Sequence, residues 1–92
     1  MRLVTWDPAK AESNFEKHGV SFGEAQEIFD DLLSITVLDH SQSVDEERFL
    51  TVGQSLRGRL LTVGHADSDD EVRIITARDA TKRERRDYEE ES

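Results

Sequence analysis

The chain has 92 residues, 12 Lys plus Arg against 21 Asp plus Glu, a formal net charge of −9 and no Cys. That length supports one domain with one modest core, and the lack of Cys rules out a disulfide scaffold, a thiolate metal site and a Cys nucleophile. A chain this acidic repels phosphate at long range, and no run of about 18 apolar residues occurs, so secretion and membrane spanning are not expected and a cytoplasmic location is.

Leu3-Val4-Thr5-Trp6 reads as a short strand, followed by Asp7 as an N-cap and Pro8 at the first helical position, where a missing N–H costs nothing. The helix should run to His18, with Gly19 in the left-handed position after it and Val20 closing onto Phe15 in a Schellman motif. Ser21 and Glu24 have capping-box spacing and open a second helix carrying Phe22, Ala25, Ile28 and Phe29. Leu33 to Leu38 is a strand and Asp39 to Glu47 a polar loop.

Three further strands follow. With Ser55 to Gly58 and Asp67 to Asp70 as four-residue turns, Gln54 pairs with Arg59 and Ala66 with Glu71. Alternation then puts Leu50, Val52, Leu61, Val63, Val72 and Ile74 on one face, bounded by Arg48 beside His65 at one end and by Gln54, Arg59 and Arg78 at the other. The opposite face carries Phe49, Thr51, Gly53, Leu60, Thr62, Gly64, Arg73, Ile75 and Ala77, a shallow floor of mostly small residues. Thr81 with Glu84 is another capping box, starting a C-terminal helix that carries Arg83, Arg85, Arg86 and Tyr88. The reading is an α+β domain spanning residues 1–92, with a mainly antiparallel sheet, two N-terminal helices on one face and the C-terminal helix at the sheet edge.

Charge is unevenly spread. Residues 1–47 hold three basic and eleven acidic groups, residues 48–92 nine basic and ten acidic, and eight of those nine are Arg. Arginine suits bidentate contact with phosphate and stacking on bases, although arginines bridging neighbouring acids on a solvated surface would give the same composition.

Trp6-Asp7-Pro8-Ala9-Lys10, Asn14, Lys17-His18-Gly19-Val20 and Phe22 together resemble the opening of the BrnT family of bacterial toxins. The second half adds Glu47-Arg48-Phe49, Gly53, Arg57-Gly58-Arg59, Arg73-Ile74-Ile75-Thr76-Ala77-Arg78, Ala80-Thr81, Glu84-Arg85-Arg86 and Tyr88 in the family's order and approximate spacing. The resemblance implies a fold similar to RelE-type toxins and a ribonuclease activity that stops growth. It also implies a cognate BrnA-type antitoxin of the ribbon-helix-helix class, through which alone the toxin would meet DNA.

Metal-independent cleavage of RNA needs help in deprotonating the 2′-OH, cations around the phosphorane and an acid for the leaving oxygen. The catalytic candidates are Arg73 on the open floor, His65 with Arg48 beside it, and Lys17 with His18 at a helix end. The substrate-binding candidates are Arg59 and Arg78, read as meeting at one end of the sheet, with Arg83, Phe49 and Tyr88. No cofactor is expected. The three His share no metal-ligand spacing, and Asp67 to Glu71 lacks the Gly and distal Glu of a calcium loop. A non-enzymatic module that caps a DNA-binding partner and acts as its corepressor is the alternative, favoured by the negative charge.

Overall fold

The computed structural model describes residues 2–40 and 47–91. Strand β1 (Leu3–Thr5) leads into α1 (Pro8–His18), α2 (Phe22–Ala25) and a 3₁₀ helix (Gln26–Asp30). Then come β2 (Ile35–Leu38), β3 (Arg48–Gln54), β4 (Leu60–Asp67), β5 (Glu71–Asp79) and α3 (Lys82–Glu91). The strands form one sheet in the order β1-β5-β4-β3-β2, antiparallel except for the parallel β1–β5 pair. Most of the polar segment read as a loop, residues 41–46, lies outside the described residues.

The caps explain where the first helices begin and end. Asp7 accepts the Ala9 N–H at 3.0 Å and Pro8 opens α1, while Gly19 at φ 69° donates to the Phe15 carbonyl at 2.8 Å. This single bond is the simpler left-handed cap. The expected Val20–Phe15 contact gives way to burial: Val20 enters the core and Phe15 stays largely exposed. Ser21 caps Glu24, but the helix it opens is α for four residues only and tightens to 3₁₀ at Gln26. The tighter winding still puts Ile28 into the core.

These N-terminal helices cover one face of the sheet, as the sequence suggests. Val20, Phe22, Ala25 and Ile28 pack against Leu61, Val63, Ile74 and Ala77, with Val4, Trp6, Ala11 and Phe29 around them. Trp6 meets Phe22 edge-on at 6.1 Å. Polar edges are satisfied within the same layer. Beyond the three residues where β1 pairs with β5, Asn14 of α1 takes both backbone groups of Ala77, at 2.9 and 3.0 Å, and donates to the Val20 carbonyl at 3.0 Å. A helix side chain thus replaces a strand neighbour.

Two local devices overturn the expected registers. In the first hairpin Ser55 donates to the Arg59 carbonyl and Gly58 has φ 84°, so the loop is three residues, Leu56–Gly58, closed by a left-handed Gly. Gln54 therefore faces Leu60, not Arg59, and the whole of β3 turns over. Phe49, Thr51 and Gly53 lie on the covered side, and Leu50 and Val52 on the other. In the second hairpin Asp67 pairs with Val72, two positions from the expected register, which leaves the faces near the turn as predicted. A bulge then intervenes. Gly64 faces Thr76 but His65 faces Ile74, so Ile75 is an extra residue and the distal half of β5 inverts. Ala77 joins the core and Arg78 leaves it.

The C-terminal helix is also displaced from its expected place at the edge. It lies over the other face, where Ile35, Val37, Leu50 and Val52 share a small hollow with Glu84 and Asp87 of α3. The slip that removes Leu50 and Val52 from the core supplies the apolar surface on which α3 rests.

Candidate functional site

The face opposite the core is organised in rows across the strands. Gly64 has Leu50 on one side and Thr76 on the other; Thr62 lies between Val52 and Arg78, and Ala66 between Arg48 and Arg73. Arg48, Arg73 and Arg78 therefore share one face, whereas the sequence reading divides them between two. A hollow of about 410 Å³ opens over Gly64, walled by Arg48, Arg78, Asp39, Phe49, Leu50, His65, Ile75 and Thr76. Gly64 keeps it open: a Cβ at that position would stand 2.7 Å from the Thr76 hydroxyl. Arg73 is half-buried on the same face and lies outside this lining.

Arg78 is held by Glu84 in a two-point pair at 2.8 and 3.1 Å. The same carboxylate accepts from the Thr81 N–H and the Thr62 hydroxyl, both at 2.9 Å, and Thr81 caps Glu84 in return at 3.1 Å. The capping box is thus formed as expected, and it also pins α3 to the sheet. Burial alone would push the Glu84 carboxyl up, but the hydrogen bonds from Arg78, Thr81 and Thr62 and the Arg78 charge outweigh it and hold it at about 2. The Arg78 guanidinium is raised chiefly by its bond to Glu84, with a further contribution from the charge of Asp39.

Arg59 does not meet Arg78. It bonds Asp79 at 2.8 and 3.3 Å and the Gly19 carbonyl at 3.2 Å, and pairs with Glu24 at 3.5 Å, joining the hairpin to the N-terminal helices. The register shift separates the two arginines, since Asp79 stands opposite Leu61 on the covered side and Arg78 opposite Thr62 on the other. Tyr88 likewise faces a protein partner: its hydroxyl donates to Asp31 at 2.6 Å, a bond that, with burial and the Asp31 charge, pushes the phenol up to about 12. Arg83 is exposed on the first turn of α3.

His65 faces Phe49 across the strands, while Arg48 stands opposite Ala66. This corrects the expected Arg48–His65 neighbours, again through the one-residue slip. The imidazole is 2% exposed, with the Phe49 ring stacked at 5.9 Å and the Phe29 ring edge-on at 5.0 Å. Nδ1 lies 2.6 Å from Asp67, itself paired with Arg2 at 3.2 Å, and Nε2 lies 2.7 Å from the Thr51 hydroxyl. Thr51 continues to Thr36 at 2.7 Å. Because a carboxylate only accepts, Nδ1 carries a proton, and both ring nitrogens are committed to protein partners.

A second hollow, of about 220 Å³, lies along α1 and is lined by Lys10, Ser13, Asn14, Lys17, His18, Ile75 and Thr76. Lys17 and His18 are therefore brought together, but apart from Arg48 and Arg78. Ile75 and Thr76 border both hollows. Asp39 and Asn14 are the contributors that sequence reasoning missed. Asp39 sits at the junction of a strand and a polar loop without a motif, and Asn14, although among the residues that carry the family resemblance, offers no sign of its partner beyond being a poor helix former inside a helix. Among the described residues no group of three or more His, Asp or Glu is placed to hold a metal ion, and no helix is long and apolar enough to cross a membrane.

The sequence matches a family model described as the ribonuclease toxin BrnT of type II toxin–antitoxin systems, over residues 6–84. The chain belongs to the BrnT family. A search of curated proteins found no match. Among solved structures the fold is similar to the crystal structure of the Brucella abortus ribonuclease toxin BrnT, with a TM-score of 0.69 at 18% identity, covering 89% of this chain and 100% of that one. The resemblance in the sequence is thus established for the family, and the α+β architecture for the fold. At the family level this BrnT member is a ribonuclease toxin whose system includes an antitoxin.

Proposed function

We propose that the chain is a metal-independent endoribonuclease toxin that acts in the cytoplasm, stops growth by cutting RNA, and is neutralised by a DNA-binding antitoxin of the BrnA, ribbon-helix-helix type. The observation that carries the catalytic reading is the hollow over Gly64, where Asp39, Arg48 and Arg78 line one space. With a phosphodiester seated there, Asp39 accepts the 2′-OH proton as that oxygen attacks phosphorus, and the two arginines bind the oxyanions of the five-coordinate species. The P–O5′ bond then breaks, giving a 2′,3′-cyclic phosphate and a 5′-oxygen that takes a proton from water. Arg73 extends the cationic face beyond the Arg48 side, while Phe49 and His65, stacked on each other on the covered side, serve as positioning residues behind the hollow.

The corepressor reading draws on the net charge of −9 and on Glu84, which already neutralises Arg78. One experiment separates the two. Purified chain free of partner is incubated with bulk RNA in EDTA, beside Arg78→Ala checked for folding by circular dichroism. Cleavage by the wild type that drops at least tenfold in the variant supports the enzyme. An inert wild type that still sharpens operator binding by its antitoxin supports the corepressor.

A further inference from the structure

Residues 1–47 carry eleven acidic groups and only two lysines, Lys10 and Lys17. Both lysines line the same hollow on α1, with Ser13 and His18 between and beside them. At about 100° per residue, Lys10, Ser13, Asn14 and Lys17 fall within roughly a quarter to a third of the helix circumference, and Glu12 and Glu16 fall on the other side. No acidic side chain is among the described residues lining this hollow. In the acidic half of an acidic protein, the helix has gathered its cations on one side.

The position of that hollow gives the arrangement a use. Strand β1 pairs with β5 only from Glu71 to Arg73, and Asn14 takes the backbone of Ala77. Between these points lie Ile75, the extra residue of the bulge, and the exposed Thr76. The same two residues border the Arg48–Arg78 hollow on the other side. A chain of phosphates can therefore pass from one cationic hollow to the other over a ridge one strand wide.

We infer that the Lys10–Ser13–Lys17–His18 hollow binds the backbone of single-stranded RNA flanking the scissile phosphate, as a substrate subsite separate from the reacting centre. The inference rests on the reading that the hollow over Gly64 is where RNA is cut. Repulsion by the rest of the surface makes such a local cationic track the place where affinity resides, and each neutralised phosphate adds to the salt dependence of binding. The distribution of charge along α1 thus assigns Lys17 and His18 to holding substrate, with the chemistry left to the neighbouring hollow.

The test compares wild type with Lys10→Gln/Lys17→Gln and with Lys10→Arg/Lys17→Arg. Cleavage is measured on a dinucleotide and on a single-stranded RNA of about ten nucleotides, within the span that single-strand binders cover. Binding of a 2′-deoxy analogue of the longer strand, which cannot be cut, is followed by fluorescence anisotropy across salt concentrations. The Gln pair is expected to raise KM for the longer RNA at least tenfold with kcat within twofold, and to leave dinucleotide cleavage unchanged. It should weaken binding of the uncut analogue equally and lower its salt slope by about 1.4, two phosphates' worth. The Arg pair is expected to restore both.

Unchanged KM and unchanged analogue binding in the Gln pair overturn the inference. A matching loss of kcat on the dinucleotide overturns it too, because the lysines would then belong to the reacting centre. If wild-type protein cuts neither substrate, the catalytic reading fails by itself, and the anisotropy result still decides whether this hollow binds nucleic acid.

Discussion

On the covered side Arg59 is spent on Asp79, Glu24 and the Gly19 carbonyl, and every one of those contacts ties one element to another. Arg78, one residue before Asp79 in the chain, is on the opposite side; it too has a carboxylate, Glu84, yet it also lines a hollow. The difference lies in what the two faces bury. The covered face is closed by apolar side chains and by polar groups that satisfy one another, such as Asn14 with Ala77 and His65 with Thr51. The other is only partly roofed, because a ten-residue helix held by Glu84 and Tyr88 leaves a hollow open over Gly64. Strand register decides which surface an arginine reaches: Arg59 staples elements on the covered side, and Arg78 lines the open hollow, where the proposed function gives it a phosphate to hold.

Truncation inside the covered face is the strongest test of the contrast. Leu61→Ala should destabilise by about 2–5 kcal/mol through a core cavity, and Val52→Ala, half-buried under α3, by less than about 1.5 kcal/mol. Urea unfolding of both variants measures this; the reverse order would invert the faces. Asn14→Ala should follow at about 2–4 kcal/mol, since it strands both backbone groups of Ala77 and the Val20 carbonyl together. Hydrogen exchange at Ala77 should rise with it.

Acid probes the roof of the open face. The folded Glu84 carboxyl, at about 2, lies below its ordinary value of 4.5, so its stabilisation is complete above the unfolded pKa and is lost as pH falls from about 4.5 toward 2. Allowing for partial solvent screening, the effect is about 1–3 kcal/mol. Glu84→Gln should therefore show a flatter fall in stability over that window than wild type, in unfolding curves at matched pH. An equal slope would mean that the Arg78–Glu84 hub does not hold α3.

The finest distinction is between the two arginines. Arg59→Ala and Arg78→Ala should each cost roughly 1 kcal/mol, as partly exposed pairs do. Only Arg78→Ala should lower RNA cleavage, by at least tenfold, which corresponds to about 1.4 kcal/mol of transition-state stabilisation. Equal cleavage by the two variants would remove the functional difference between the faces.

Local chemistry made much of the fold legible. Asp7-Pro8, Gly19, Ser21 with Glu24, and Thr81 with Glu84 each act on their own neighbours within four residues, and each cap is formed where the sequence places it. The site was less legible because it depends on parity. A three-residue loop in place of a four-residue turn moved Arg48 and Phe49 to opposite sides from those expected, and one bulge residue did the same for Arg78 and Ala77. Arg73 kept its face because two errors of register near the second turn cancel. Tyr88 looks like a ligand group in the sequence because nothing within a few residues reveals that Asp31 will reach it; for Arg59 and Arg78 the sequence offers Asp79 and Glu84 as neutralising acids, and only the register assigns Asp79 to Arg59 and Glu84 to Arg78.

The sequence by itself determined where the helices begin, the family and the covering of one sheet face by Val20, Phe22 and Ile28, because caps and apolar periodicity act over short range. Tertiary structure decided which arginines share a surface, that Asn14 completes the edge of β5, and that Asp39 joins Arg48 and Arg78. Side chains alternate with a period of two along a strand, so a single inserted residue reverses every group beyond it, and only the assembled sheet settles where that residue falls.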